Sequence, residues 1–260
     1  MEKVVIGVLG GFSRLFLQIF SSTTVYGRDA FVEQMEEARA ASRGVITVSN
    51  HVSIFDDPFT VAAAVPWSWL WDTHKLRRTV CATNRCFFHP VVAQILTWGR
   101  VLPLARGGGI HQPYMDDVVD ALQAGDWIHL FPEGTRAHAP PRLEPVRTGV
   151  GRLIADAKPT PLVIPLVHLG MEHMVGRGFI VPNLGLDLTI AIGDPISFDD
   201  ILHNAHAYPD ADALYAAIAL RVQESMDALL LHAQALHSLR VVPPSSPPSP
   251  TPSPPAASSE

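Results

Sequence analysis

Apolar positions recur along this chain with two periods, and the two alternate. Over residues 29–42, 113–124 and 212–235 they return every three to four positions, the spacing of one face of an α-helix; residues 90–98 repeat this over a shorter span. Between these stretches lie short runs rich in Val, Ile and Leu, at 45–49, 79–82, 100–104, 127–131, 162–167 and 188–192. Such runs, bounded by turn residues, read as strands. Strands alternating with helices predict an α/β fold, a largely parallel central sheet flanked by helices. The pattern leaves the order of the strands open.

The two ends break this alternation. Residues 4–20, VVIGVLGGFSRLFLQIF, are apolar except for Ser13, Arg14 and Gln18. The stretch falls just short of a spanning helix, and Arg14 near a bilayer centre would cost roughly 2.5 kcal/mol or more. A helix that lies in the membrane interface or dips into one leaflet is the expectation; a core helix packed on the domain is the alternative. Lys3, Arg14 and Arg28, interrupted by Glu2 and Asp29, are too few for a transit peptide. At the other end Pro and Ser dominate, and a segment without large apolar side chains cannot offset its chain entropy. The chain is therefore read as an apolar membrane-associating segment (1–25), one domain (26–240) and a disordered Pro/Ser-rich tail (241–260).

Composition narrows the class of function. Hydrophobic residues make up 47% and charged residues 17% of the chain, which favours a lipid or membrane partner. No stretch reaches the ~18 uninterrupted apolar residues of repeated spans. A net charge of −6 argues against a nucleic-acid binder, while a local Arg site remains able to hold a phosphate. Cys81 and Cys86 are too few for a disulfide framework and read as small apolar fillers. His168, His173 and His203 lack metal-ligand spacing, so no metal is expected. Trp67, Trp69 and Trp71 would share one face of an extended segment, as interface anchors or as core.

The chemistry concentrates after two of the expected strands. Ser49-Asn50-His51-Val52-Ser53-Ile54-Phe55-Asp56-Asp57-Pro58 follows the run 45–49. A turn there brings the Asp56 carboxylate to the His51 imidazole, fixing its tautomer and leaving the other ring nitrogen basic towards a substrate alcohol. The H-x4-D spacing carries no weight alone, because His111 and Asp116 repeat it. What sets the first pair apart is its place after a strand, its neighbours Asn50 and Ser53, and a partner motif downstream. That partner is Phe131-Pro132-Glu133-Gly134-Thr135-Arg136, after the run 127–131. Gly134 permits a tight turn, Arg136 offers a bidentate grip on phosphate, and Glu133 is free to pair with an Arg or bind a glycerol hydroxyl. Arg106, before Gly107-Gly108-Gly109, suits a phosphate because glycines expose backbone N–H groups. Pro165 interrupts a buried strand, which on its own means an edge or a bulge.

NHVSIFDDP, the Arg-bearing strand end, FPEGTR and the apolar strand with Pro, in that order, resemble the glycerolipid (lysophospholipid) acyltransferase superfamily with its H-x4-D motif. GDWIHLFPEG, GVGRLIADAKPTPLVIPLVHLGM and IGDPI narrow the resemblance to the tafazzin family over residues 45–195. The resemblance implies that His51 is the general base and Asp56 its orienter. It gives Arg106, Glu133, Gly134, Thr135 and Arg136 to the glycerophosphate end of the acceptor, with Asn50, Ser53 and Pro132 in support and Pro165 near the donor path. It implies no cofactor and no metal. Its partners are phospholipid and lysophospholipid substrates and a membrane surface, on mitochondrial membranes facing the intermembrane space. The activity implied is transfer of an acyl chain from a phospholipid to a lysophospholipid hydroxyl, remodelling cardiolipin.

FPEGTR ends as in coenzyme A-dependent enzymes, so an acyl-CoA-dependent 1-acylglycerol-3-phosphate or other lysophospholipid O-acyltransferase is the alternative. A non-catalytic lipid-binding protein and a hydrolase are the rivals from other classes. The absence of a G-x-S-x-G elbow favours direct transfer over a covalent acyl-enzyme.

Overall fold

The computed structural model describes residues 1–105, 107–175 and 181–241, with the side chain of Arg85 excepted. Arg106 and the tail from residue 242 lie outside the described residues. The elements run α1 (Glu2–Phe20), β1 (Ser21–Tyr26), α2 (Arg28–Ala40), β2 (Val45–Ser49), α3 (Asp56–Ala64), a 3-10 turn (Trp67–Trp71), β3 (Arg78–Ala82), α4 (Thr83–Cys86) and α5 (Pro90–Trp98). They continue with β4 (Val101–Leu104), α6 (Pro113–Gln123), β5 (Trp127–Leu130), α7 (Gly149–Asp156), β6 (Leu162–Leu169), β7 (Leu186–Ile192), α8 (Asp199–His203) and α9 (Ala211–Val241).

The strands form a seven-stranded sheet in the order β1-β7-β6-β2-β5-β3-β4. Every pairing is parallel except β6 with β7, so the largely parallel α/β sheet expected from the pattern is what forms. The interior strand β2 is buried along its whole length, as its unbroken VITVS run requires. Two apolar layers cover the faces. One joins α1, α2 and α3 to the sheet through Phe16, Phe31, Phe59 and Trp127; the other joins α6, α7 and α9 through Leu122, Ile154, Ile218 and Val222.

The chain leaves β2 toward β3 on one side and returns through β5 to reach β6 on the other. The carboxyl end of β2 is therefore a topological switch point, where open α/β sheets place their ligands.

Several expectations are corrected. Pro165 marks neither an edge nor a bulge, since β6 is interior. Its carbonyl accepts from Gly193 just beyond β7, so the N–H it lacks would face the place where that ladder has ended. β4 begins one residue later than the apolar run, because Arg100 takes a left-handed φ of 63° and turns its side chain onto the Thr73 and Leu76 carbonyls. Cys81 and Cys86 are joined as a disulfide rather than packed as separate fillers. The tryptophans lie in a 3-10 turn, whose three-residue period sends Trp69 into the core and leaves Trp67 and Trp71 exposed.

Among the described residues one helix, α1, is long and apolar enough to cross a membrane, and a third of it is buried against the domain. Arg14 leaves the apolar face altogether. Its guanidinium donates to Ala62 O at 2.5 Å and Ala63 O at 2.6 Å, and Arg28 donates to Ala64 O and Val65 O, so two arginines satisfy the orphan carbonyls that end α3.

Candidate active site

His51 follows β2 by two residues and Asp56 opens α3, so the tight loop between strand and helix sets their separation. Asp56 is fully buried, and its Oδ2 collects three donors: His51 Nδ1 at 2.8 Å, Val52 N at 2.6 Å and Ser53 N at 2.7 Å. The two backbone donors hold the carboxylate in place, and the third donor, Nδ1–H, fixes the tautomer that leaves Nε2 of His51 with its lone pair. The His51 side chain keeps 24% of its surface open to solvent. Its ring stacks on Phe131 with centroids 4.2 Å apart, which restricts rotation. Ser53 is buried and its hydroxyl accepts from Phe55 N.

The second motif locks onto the first through the backbone of His51. Glu133 is fully buried; its Oε1 accepts the His51 N–H at 2.8 Å and its Oε2 accepts the Glu144 N–H at 2.6 Å. The His51 carbonyl in turn accepts from Ala137 N at 2.7 Å. Each oxygen of Glu133 thus accepts one backbone N–H, and the carboxylate ties the two loops together. Burial raises its carboxyl to about 7 against the lowering effect of the two N–H donors.

Gly134 takes a left-handed φ of 67° that admits glycine readily, and Pro132 beside it is buried. Thr135 is half-buried and Arg136 is exposed. Arg147, which no motif pointed to, lies over the same turn: its Nε is 3.5 Å from the Glu133 carbonyl, and a side chain at Gly134 would meet its Cγ.

Under the dyad lies a buried polar layer. His129 of β5 bridges Thr47 Oγ1 (2.8 Å) and Ser49 Oγ (3.2 Å) of β2, and Trp127 Nε1 donates to the same Thr47 hydroxyl. Burial lowers His129 to about 4. It meets Phe131 edge-on, so Phe131 is held between His129 and His51. Asp57 is buried, which pushes its carboxyl up, but the bidentate Arg77 guanidinium at 2.5 and 2.7 Å holds it below the usual range.

Asn50 stitches β2 to β6 beyond their last backbone pair: its Nδ2 donates to His168 O at 3.0 Å and its Oδ1 accepts from His168 N at 2.9 Å. Pro165, three residues before His168 in β6, pairs with Val48 of β2.

The structure thus brings Asn50, His51, Ser53, Asp56, Pro132, Glu133 and Gly134 into one site, with Thr135 and Arg136 on the loop at its rim. The sequence reading missed Phe131, His129, Arg147 and His168. Phe131, His129 and His168 lie beside or within stretches already singled out, but their contacts depend on which strands are neighbours; Arg147 lies in none of those stretches. Among the described residues no three His, Cys, Asp or Glu side chains are grouped to hold a metal ion.

Residues 29–169 match the family model described as Acyltransferase. A protein named Taffazin from Dictyostelium discoideum is 30% identical over 78% of this chain and 72% of its own length. Tafazzin from Drosophila melanogaster is 27% identical over 92% of this chain and 63% of its own length. N-acylphosphatidylethanolamine synthase from Arabidopsis thaliana is 29% identical over 90% of this chain and 94% of its own length. With the matched family model spanning the His51 loop, the Glu133 loop and the strands that carry both, the chain belongs to the acyltransferase family and to its tafazzin group, and it is an acyl-transferring enzyme.

Proposed function

We propose that this chain is a phospholipid–lysophospholipid transacylase in which His51 is the general base and Asp56 orients it. The observation that carries the reading is the 2.8 Å contact between Asp56 Oδ2 and His51 Nδ1, with the opposite ring nitrogen left basic and the ring partly open to solvent. Nε2 takes the proton of the lysophospholipid hydroxyl as its oxygen attacks the carbonyl carbon of a donor ester. The tetrahedral oxyanion collapses, the donor C–O bond breaks, and the departing lysophospholipid oxygen recovers the proton from His51. The base ends as it began, which suits an exchange between two phospholipids.

Gly134, Thr135 and Arg136 line the acceptor's phosphate in this reading, together with Arg106. Asn50, Ser53, Pro132 and Glu133 shape the loops, and Pro165 belongs to the strand beside the donor path. The relatives named tafazzin make a cardiolipin-type acceptor the first to try. The same relatives motivate a mitochondrial membrane as the place of action, with residues 1–25 as the membrane-associating segment, 26–240 as the catalytic domain and 241–260 as a Pro/Ser tail. Membrane docking is supported by the outer face of α1, where Val8, Phe12 and Ile19 are 57%, 55% and 65% exposed. α1 touches both α5 and the Trp67–Trp71 turn. Val91 and Ile95 of α5 and Trp67 and Trp71 of that turn are also exposed.

A second reading exchanges the acceptor: the amine of an ethanolamine headgroup in place of the hydroxyl. The match to the Arabidopsis synthase over nearly its whole length favours it.

The test is acyl transfer by detergent-solubilised protein onto labelled monolysocardiolipin, lysophosphatidate and phosphatidylethanolamine, each with phosphatidylcholine or acyl-CoA as donor. Transfer from phosphatidylcholine onto a lyso-hydroxyl is expected, with His51→Ala reduced about 100-fold or more. Activity confined to acyl-CoA, or an N-acylated product, would overturn the transacylase; more than about a tenth of the activity left in His51→Ala would overturn the base.

A further inference from the structure

The buried imidazole of His168 has no part in the transfer described above, yet it touches the same loop from below. His168 is the seventh residue of β6 and is fully buried. Its backbone is bracketed by the Asn50 side chain on both N–H and C=O. Its ring then returns the contact: Nε2 lies 2.8 Å from the Asn50 carbonyl, which requires the Nε2–H tautomer. The same nitrogen is 3.8 Å from Asp56 Oδ1. That oxygen is the one left over when Oδ2 has gathered His51, Val52 and Ser53, and it is buried without a hydrogen bond among the described residues.

We propose that His168 is a positioning residue for acyl transfer. Its Nε2–H holds the carbonyl of the residue before His51 and faces the free oxygen of Asp56, so that β6 fixes both halves of the dyad. The peptide that joins Asn50 to His51 is then clamped on every side. Its carbonyl is held by His168, its N–H by Glu133, and the next carbonyl by Ala137. A base that has to meet a substrate hydroxyl at hydrogen-bond distance is sensitive to sub-ångström drift of that peptide, because misplacement by about 1 Å costs on the order of 100-fold in rate. The inference rests on His51 as the base.

The test compares His168→Gln with His168→Asn by steady-state kinetics in the purified full chain, with His51→Ala alongside. Both variants bury one primary amide of similar polarity, so they disturb folding to a similar degree. Only Gln carries its nitrogen as far out as the imidazole Nε2. The expected result is that Gln keeps at least a third of the parent kcat, while Asn loses tenfold or more. The acceptor KM should stay within twofold for both. If Gln and Asn come within twofold of each other in kcat, the Nε2 contact is irrelevant and the proposal fails. A loss expressed in KM rather than kcat overturns it equally. An active His51→Ala would instead bring down the base assignment, and this inference with it.

Discussion

Two buried titratable side chains near His51, His129 and Glu133, respond to pH with opposite sign. His129 is lowered to about 4 by burial. The unfolded chain therefore binds its proton first, and the stability it contributes is lost as pH falls from about 6.5 towards 4. Glu133 is raised to about 7 by burial, so the folded state keeps the proton longer, and stability is lost as pH rises from about 4.5 to 7. Replacing Glu133 by Gln removes the second response alone. The unfolding free energy of Glu133→Gln relative to the parent should therefore improve as pH rises through that window, by about 2–3 kcal/mol. Urea denaturation at pH 4.5, 6 and 7 measures it. A constant difference would mean that the buried carboxyl titrates as it does in water. The absolute stability of the variant should still be lower, since Gln cannot accept from both His51 N and Glu144 N.

At the scale of elements, close approach of helices decides more than propensity does. α7 packs against α9 at Gly151, where an added Cβ would lie 2.0 Å from the Tyr215 carbonyl oxygen and 2.7 Å from its carbon. Helix propensity alone favours Ala over Gly by about 1 kcal/mol. Backbone cannot yield as a side chain can, so Gly151→Ala should destabilise the protein by about 3 kcal/mol or more; thermal unfolding gives the sign directly. The contact of α1 with α3 is built differently. Phe16 packs on Phe59 with centroids 5.3 Å apart, and Phe59 on Phe55 at 5.1 Å, so a run of rings links α1 to the helix that opens with Asp56. Arg14 ties the other end of α3 to α1. α1 is thus a structural neighbour of the dyad helix as well as the carrier of an exposed apolar face.

For the whole molecule that division of α1 has a consequence. Its inner residues Ile6, Phe16 and Leu17 are buried, while Val8 and Phe12 are turned outward. Val8→Asp combined with Phe12→Asp should cost little thermal stability, because both side chains are more than half exposed. The same pair should weaken flotation with phospholipid vesicles by tenfold or more, since it places two charges in the interface that the helix would enter. Equal vesicle binding by parent and variant would place the membrane contact elsewhere on the molecule.

The sequence alone was enough for the class of fold, for six of the seven strands, and for the two motifs with His51, Asp56 and Glu133–Arg136, because local pattern and residue chemistry are enough for those. It did not suffice for β1, whose SSTTVY has no apolar alternation and becomes a strand only by pairing with β7. Nor did it suffice for α3, buried on nearly every side and so without a helical period, or for α7, where glycines stand in place of strong helix formers. The hydrogen-bond partners of Glu133, His129 and His168 were decided by the tertiary structure. Each depends on contacts between strands far apart in the chain, β2 with β5 and β2 with β6, and local pattern carries no record of which strands become neighbours.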